Sequence, residues 1–257
     1  MNLPIAILSR AFRLIFAQPR QTLRVILPGV VTYIVGGLLV GGAIFLGASM
    51  PVEASRSNLL LLALTLPGFA ILLRGFSLFA VMWHRHALVP DHARDDVMKP
   101  VKGTLNRYLW RCALLVLLLL IISLPIGFVG GVGTGIAESS TGRGSWVASG
   151  INTLISIVIS WIGLRLSLML PAVSVGDHMG ITQSWAATRA ASKDLFWTAA
   201  LLGILNASVW AISVGVLAAM PFLGLALAPC IFVFQSLLYL SVLSTLYGHL
   251  IEGRPLT

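Results

Sequence analysis

Charged residues are scarce in this sequence. They make up 10% of its 257 residues, and 58% of the residues are hydrophobic, whereas soluble domains have about 25% charged residues. No polar stretch between the apolar segments is long enough to form a separate soluble domain. The composition therefore predicts one integral membrane domain over residues 1–257.

Acidic residues are fewer still, eight in all, and each lies outside the apolar segments. The sequence contains no Ser/His/Asp set, no paired carboxylates, no Walker loop and no nucleotide-binding glycine pattern. Intramembrane proteases and acyltransferases need Asp or His within the membrane, and the apolar segments lack both. We therefore expect a protein that is not an enzyme, with no catalytic residue and no cofactor.

Long apolar runs, by contrast, are abundant. At about 1.5 Å per residue, six of them can cross a hydrocarbon core of about 30 Å. This predicts an all-α bundle of six transmembrane helices. The predicted spans are 25–47, 59–83, 109–131, 151–170, 196–220 and 222–246.

Two shorter amphipathic helices are predicted outside the spans. Residues 3–17 place Leu8, Phe12 and Ile15 on one face, and two arginines interrupt the apolar residues, which favours an interfacial helix over a signal peptide. A second helix is expected around Trp185, after a Gly-Asp-His turn at residues 176–178.

Lysine and arginine are distributed unevenly among the loops. If the N-terminus is cytoplasmic, only Arg56 and Arg143 lie outside, against thirteen basic residues inside. Because positive charge is retained on the cytoplasmic side, this predicts that both termini are cytoplasmic. The thirteen are Arg10, Arg13, Arg20, Arg24, Arg85, Arg94, Lys99, Lys102, Arg107, Arg111, Arg189, Lys193 and Arg254.

An internal repeat is visible in the sequence. Residues 73–78 and 164–168 share an arginine followed by a Ser-Leu pair, and both spans are followed by an Asp-His pair, at 91–92 and 177–178. We interpret this as three copies of an interfacial helix plus two spans. Chance repetition in a leucine-rich chain is the competing explanation.

Arg74 and Arg165 lie within predicted spans. A charge there costs about 2.5–3.5 kcal/mol on insertion scales, and no span holds an acidic partner. Arg165 is near the inner end of its span, so its side chain can snorkel to lipid phosphates. Arg74 is deeper, and its neighbour Gly75 leaves room for a partner helix.

Several groups could solvate Arg74: Asn206 in the fifth span, Gln235 and Tyr239 in the sixth, carbonyls freed at Pro67 or Pro229, or a bound anion. The functional hypothesis is an anion- or lipid-binding site facing the cytoplasm. The alternative is snorkelling arginines with a structural role alone. The residues of the hypothetical site are Arg74, Arg165, Asn206 and Gln235.

The cysteines and histidines do not predict a metal or haem site. Cys112 and Cys230 lie inside or at the edge of apolar spans, as inert packed thiols do. No two histidines have the His-x-x-x-His spacing of ligands on one helix face, so headgroup-level side chains are the favoured interpretation. The histidines are His84, His86, His92, His178 and His249.

The formal net charge of +9 is carried mostly at the ends of apolar spans. Lysine and arginine there orient membrane helices, whereas nucleic-acid binding needs a basic surface that neutralises phosphates. We therefore expect anionic membrane lipids and other membrane proteins as partners, and no nucleic acid.

Residues 161–190 resemble the core segment of the YciC-type six-span bacterial inner-membrane proteins. The matching residues are Leu164, Arg165, Leu170, Pro171, Ala172, Val173, Val175, Asp177, Met179, Gly180, Ile181, Ser184 and Thr188. The Trp-His-Arg-His run at 83–86 departs from that pattern. The resemblance implies a multipass protein of the bacterial inner membrane with no established catalytic residues, and it supplies no substrate.

Two functions follow as expectations. The first is a non-enzymatic accessory or assembly partner of a membrane complex, or a protein of envelope maintenance. The second is a transporter or lipid-handling protein that uses Arg74 and Arg165, with helices broken at Pro67, Pro125 and Pro229.

Overall fold

A computed structural model describes residues 2–49, 55–89, 102–141 and 144–256, with the side chains of 48, 55–60, 133–141, 144–149 and 225 left out. These residues form nine helices and no strand, which confirms the all-α prediction. The helices are α1 (Leu3–Phe16), α2 (Pro19–Ser49), α3 (Ser55–Leu88), α4 (Thr104–Thr141), α5 (Gly144–Leu166), α6 (Met169–Val175), α7 (Ile181–Ala187), α8 (Ser192–Ala219) and α9 (Pro221–Leu250).

Six stretches of these residues are long and apolar enough to cross a membrane, as expected for a multipass protein. Several helices extend beyond the predicted spans: α3 continues past Trp83 to Leu88, and α4 begins at Thr104 rather than near residue 109. A charged residue ends an apolar run but leaves the i to i−4 backbone hydrogen bonds intact. The candidate spans are Pro19–Gly47, Leu61–Leu88, Thr104–Val132, Gly150–Val175, Ser192–Ala219 and Pro221–Leu250.

The predicted helix breaks at Pro67, Pro125 and Pro229 are wrong, because α3, α4 and α9 run through these prolines without interruption. Membrane helices tolerate a proline where neighbouring groups satisfy the freed carbonyl. The fourth span is interrupted instead, between Leu166 and Met169. Pro171 explains this position, since its ring would clash with the carbonyl four residues earlier in a continuous helix.

Long helices that follow each other along the chain pack as pairs, α2 with α3, α4 with α5, and α8 with α9, and α8 packs even more extensively against α5. The α2–α3 pair is the closest, because a Cβ atom at Gly29, Gly36 or Gly75 would collide with backbone atoms of the facing helix. A short helix precedes the first and third pairs along the chain, α1 before α2 and α7 before α8. The corresponding segment before α4 includes residues 90–101, outside the described residues.

The buried core lies at one end of the bundle, which we call the basic end. It consists of α1, α6 and α7, the starts of α2, α4 and α8, and the ends of α3, α5 and α9. Trp83, Tyr108, Leu168, Leu195 and Leu246 are among its fully buried side chains. Towards the other end, large apolar side chains such as Leu38, Phe128 and Phe222 are exposed, as a lipid-facing surface permits.

Candidate functional site

Arg165 is buried at the end of α5, with 5% of its surface exposed. Its guanidinium carbon lies 3.4 Å from the centre of the Trp185 ring and 5.5 Å from that of Trp161. Nε donates to Oγ1 of Thr188 at 3.3 Å, and Nη2 donates to the backbone oxygen of Trp185 at 3.2 Å. Protein groups therefore solvate this charge through cation–π contacts and hydrogen bonds, in place of lipid phosphates.

Hydrogen bonds from residues 184–192 also stabilise the packing of α7 against the end of α5. The Ser184 hydroxyl donates to the backbone oxygen of Arg165 at 2.7 Å, and the Thr188 hydroxyl donates to the backbone oxygen of Ser184 at 3.0 Å. The indole nitrogen of Trp161 donates to the backbone oxygen of Ser192 at 3.0 Å. The predicted helix around Trp185 is confirmed as α7, and Arg165 is the residue around which it folds back.

Arg74 has different surroundings. It is exposed on α3, and its side chain makes no hydrogen bond or ion pair with the residues that the structure describes. Gly75 faces Tyr33 of α2 at backbone distance, so the partner helix expected at this glycine is α2. Adjacent helical residues point about 100° apart, which directs Arg74 away from that contact.

Asn206 and Gln235 pair with each other. Nε2 of Gln235 donates to Oδ1 of Asn206 at 2.8 Å, which joins α8 to α9 within the apolar part of the bundle. Each amide thereby satisfies part of the other's hydrogen-bonding capacity, as buried or lipid-facing polar groups require. The four predicted site residues thus comprise a buried arginine, an exposed arginine and a bonded amide pair.

A polar cluster that the sequence reasoning missed lies inside the core of the basic end. Nδ1 of His84 is 2.8 Å from Oγ of Ser244, and Nε2 is 3.5 Å from the Tyr108 hydroxyl. Ser244 donates its single proton to the backbone oxygen of Leu240 at 2.9 Å, so Nδ1–H donates to Ser244 and Nε2 accepts from Tyr108. The cluster joins α3, α4 and α9, and only the unusual 83–86 run hinted at it.

Further polar contacts close the basic end. The Tyr247 hydroxyl donates to Oδ2 of Asp177 at 3.0 Å. Arg254 forms an ion pair with Glu252 at 2.6 Å and donates to the backbone oxygen of Leu88. Burial raises the pKa of the Glu252 carboxyl, and the charge of Arg254 opposes that rise. The residues after α9 are therefore tied back onto the end of α3.

The histidines are dispersed across the basic end. His84 belongs to the buried cluster, His249 contacts the backbone oxygen of Arg254 at 3.0 Å, and His178 is exposed. The ring of His86 lies 5.6 Å from that of Trp83, and His92 lies outside the described residues. In the part of the chain that is described, no three His, Cys, Asp or Glu side chains are grouped as metal ligands.

An apolar cavity of about 500 Å³ lies between α2, α9 and the end of α1. Leu23, Leu27 and Ile34 of α2 line it and are well exposed, so it opens sideways as a groove. The α2 stripe that lines the groove continues at helical spacing to Gly37 and Gly41. A Cβ atom at either glycine would meet no atom within 4 Å, so no described part of the chain packs against them.

Comparison of the chain with models of known protein families, with curated proteins and with solved structures finds no match.

Proposed function

We propose that this is a non-enzymatic multipass protein of the bacterial cytoplasmic membrane that acts as an accessory or assembly partner of a membrane complex, or in envelope maintenance. Both termini are proposed to be cytoplasmic, on the strength of the lysine and arginine bias. The resemblance of residues 161–190 to YciC-type proteins supports the same assignment.

The observation that carries the proposal is the unoccupied glycine face of α2. Gly29 and Gly36 lie against α3, whereas Gly37 and Gly41 face open space. A Gly-x-x-x-Gly pair lets a second helix backbone approach closely, and this gain from packing drives helix association in lipid. The face thus fits a transmembrane helix of another protein.

Transport through a site at Arg74 and Arg165 receives less support from the geometry. Arg165 already donates to Thr188 and to Trp185 under an indole ring, and Arg74 is exposed on the outer surface of α3. A transported anion needs unsatisfied donors around a shared cavity. The lateral groove supports lipid binding better than passage of a solute.

The test compares proteins that co-purify after gentle detergent extraction. The double variant Gly37→Leu/Gly41→Leu should lose a specific membrane protein that the wild type retains, while remaining folded and inserted. Gly127→Leu/Gly215→Leu is the matched control, since both glycines are exposed and also face open space. Equal retention by both double variants, or loss from both, would refute the proposal.

A further inference from the structure

The lining of the lateral groove is complementary to a hydrocarbon chain. Its walls are almost wholly apolar, with Leu23 and Leu27 on α2 facing Val233 and Leu237 on α9. The hydroxyl of Thr22, one of its few polar groups, already donates to the backbone oxygen of Ile15 at 3.0 Å. Water in such a groove would lack hydrogen-bond partners, whereas a lipid chain would not need them.

Aromatic contacts keep the groove open. Phe16 at the end of α1 lies 6.3 Å from Phe234 of α9, and Tyr33 of α2 stacks on Phe232 of α9 at 5.3 Å. The first pair joins α1 to α9 at one end of the groove, and the second pair separates α2 from α9 further along it. The space is therefore a preformed feature of the packed chain, as ligand sites usually are.

The dimensions of the groove suit an acyl chain better than a helix. Its lining on α2 runs from Pro19 to Ile34, which is about 22 Å at about 1.5 Å per residue. Measured to the surrounding atoms and including open space at its mouth, the groove has an empty volume of about 1110 Å³, which gives a mean cross-section of about 50 Å² over that length. A helix about 10 Å across needs about 80 Å², so a partner helix would not fit inside the groove.

Positive charge lies next to one end of the groove, on α2 residues outside its lining. Arg20 and Arg24 lie in the first turns of α2, are exposed, and make no hydrogen bond or ion pair with the described residues. At about 22 Å the groove is about one and a half times as long as the depth of one leaflet, about 15 Å. A headgroup phosphate at the two arginines thus places its acyl chain alongside Leu27 and Ile34.

We infer that the groove binds an anionic phospholipid, with one acyl chain between α2 and α9 and its phosphate at Arg20 and Arg24. The inference goes beyond the proposed accessory function, because it uses the lower part of the α2 face and leaves Gly37 and Gly41 to the partner helix. The bound lipid forms part of the surface next to that contact.

The experiment is native mass spectrometry of the delipidated full-length protein, titrated with phosphatidylglycerol or phosphatidylcholine of identical chains. The wild type should retain phosphatidylglycerol preferentially. Arg20→Gln/Arg24→Gln should weaken phosphatidylglycerol binding about tenfold or more, since each basic residue near the surface contributes to anionic lipid binding. The loss of phosphatidylcholine binding should be clearly smaller, because its choline offsets the charge of its phosphate. The matched control is Arg107→Gln/Arg189→Gln, because both of these arginines are also exposed.

Two further variants test the acyl-chain position. Leu27→Trp and Val30→Trp fill the groove and should weaken binding of both lipids, while Leu117→Trp on the exposed face of α4 should not. Leu27 is half-exposed, so its replacement leaves a folded protein even if Val30→Trp does not.

The inference would be overturned if the wild type retained the two lipids equally. It would also be overturned if Arg107→Gln/Arg189→Gln lost as much phosphatidylglycerol binding as Arg20→Gln/Arg24→Gln. A third contrary result is a groove-filling variant that loses a co-purifying protein but still binds lipid like the wild type. A different result would refute the proposed accessory function. It would appear as unchanged protein capture in Gly37→Leu/Gly41→Leu, with lipid retention unaffected.

Discussion

The guanidinium carbon of Arg165 lies 3.4 Å from the ring centre of Trp185, across the turn that reverses the chain between α5 and α7. Two hydrogen bonds hold it there, one to Thr188 and one to the backbone of Trp185 itself. Arg165 therefore organises the packing of a short helix against a membrane span. This structural role accounts for a charge that would otherwise be expensive in the membrane.

Replacing Arg165 tests that role. Arg165→Leu should lower the unfolding free energy in detergent by about 2 kcal/mol or more, because it removes hydrogen bonds from a charged group and a desolvated cation–π contact. Arg165→Lys should rescue little, since an ammonium cannot reproduce the planar guanidinium contacts. Thermal or denaturant unfolding measures both variants.

Arg107→Gln is the control for Arg165, being an exposed arginine in the first turn of α4. It should unfold like the wild type. A fully stable Arg165→Leu protein that loses anion or lipid binding would instead favour the site hypothesis for Arg74 and Arg165.

The close approach of α2 and α3 gives a second prediction. Gly75→Ala and Gly29→Ala should each destabilise the protein by about 1–3 kcal/mol, the usual cost of overpacking, because the new methyl group meets backbone of the facing helix. Gly37→Ala, with open space around it, should change stability little. Comparable melting temperatures for all three variants would contradict the close packing of this helix pair.

The contact between Tyr247 and Asp177 gives a third prediction. Tyr247→Phe removes a hydrogen bond to a carboxylate and should cost about 1.5–3 kcal/mol. Tyr33→Phe is the control, since its ring stacks on Phe232 and its hydroxyl has no hydrogen bond to the described residues. Equal stability of the two variants would show that this contact does not anchor α9 to the turn after α6.

The proposed topology gives a fourth. An alkaline phosphatase reporter fused after Thr257 should be inactive, and a cytoplasmic green fluorescent protein at the same position should fluoresce, because thirteen basic residues are assigned to the inner side. Arg94 and Lys99 of that set, with the outer Arg56 and Arg143, have side chains outside the described residues. An active phosphatase fusion would show that the C-terminus lies on the outer side and would contradict the proposed topology.

Hydropathy alone was sufficient to predict the all-α class and the number of spans, because a membrane helix must be apolar over its whole length. It could not predict that α3 continues past Trp83, since helical hydrogen bonding does not depend on side-chain polarity. Nor could it identify which proline interrupts a helix. Pro171 does and Pro67 does not, and the difference depends on packing around each freed carbonyl.

The surroundings of the candidate site residues were beyond prediction for a related reason. Spacing placed Arg165 near the end of a span, but its partners Trp185 and Thr188 come from a helix that folds back across it. Likewise Asn206 and Gln235 were expected to solvate Arg74, and they bond to each other. Such pairings depend on the rotation of each helix relative to its neighbours, and this rotation cannot be inferred from a single sequence.

The most direct test of the central claim is site-specific photocrosslinking in intact cells, with a photoreactive amino acid at Leu38 or, for comparison, at Leu117. Both side chains are exposed, but Leu38 lies beside Gly37 and Gly41 on α2, and Leu117 lies on α4. If the glycine face of α2 receives a partner helix, Leu38 should yield a discrete protein adduct that Gly37→Leu/Gly41→Leu abolishes, while Leu117 yields none. Lipid adducts alone at both positions would contradict the claim.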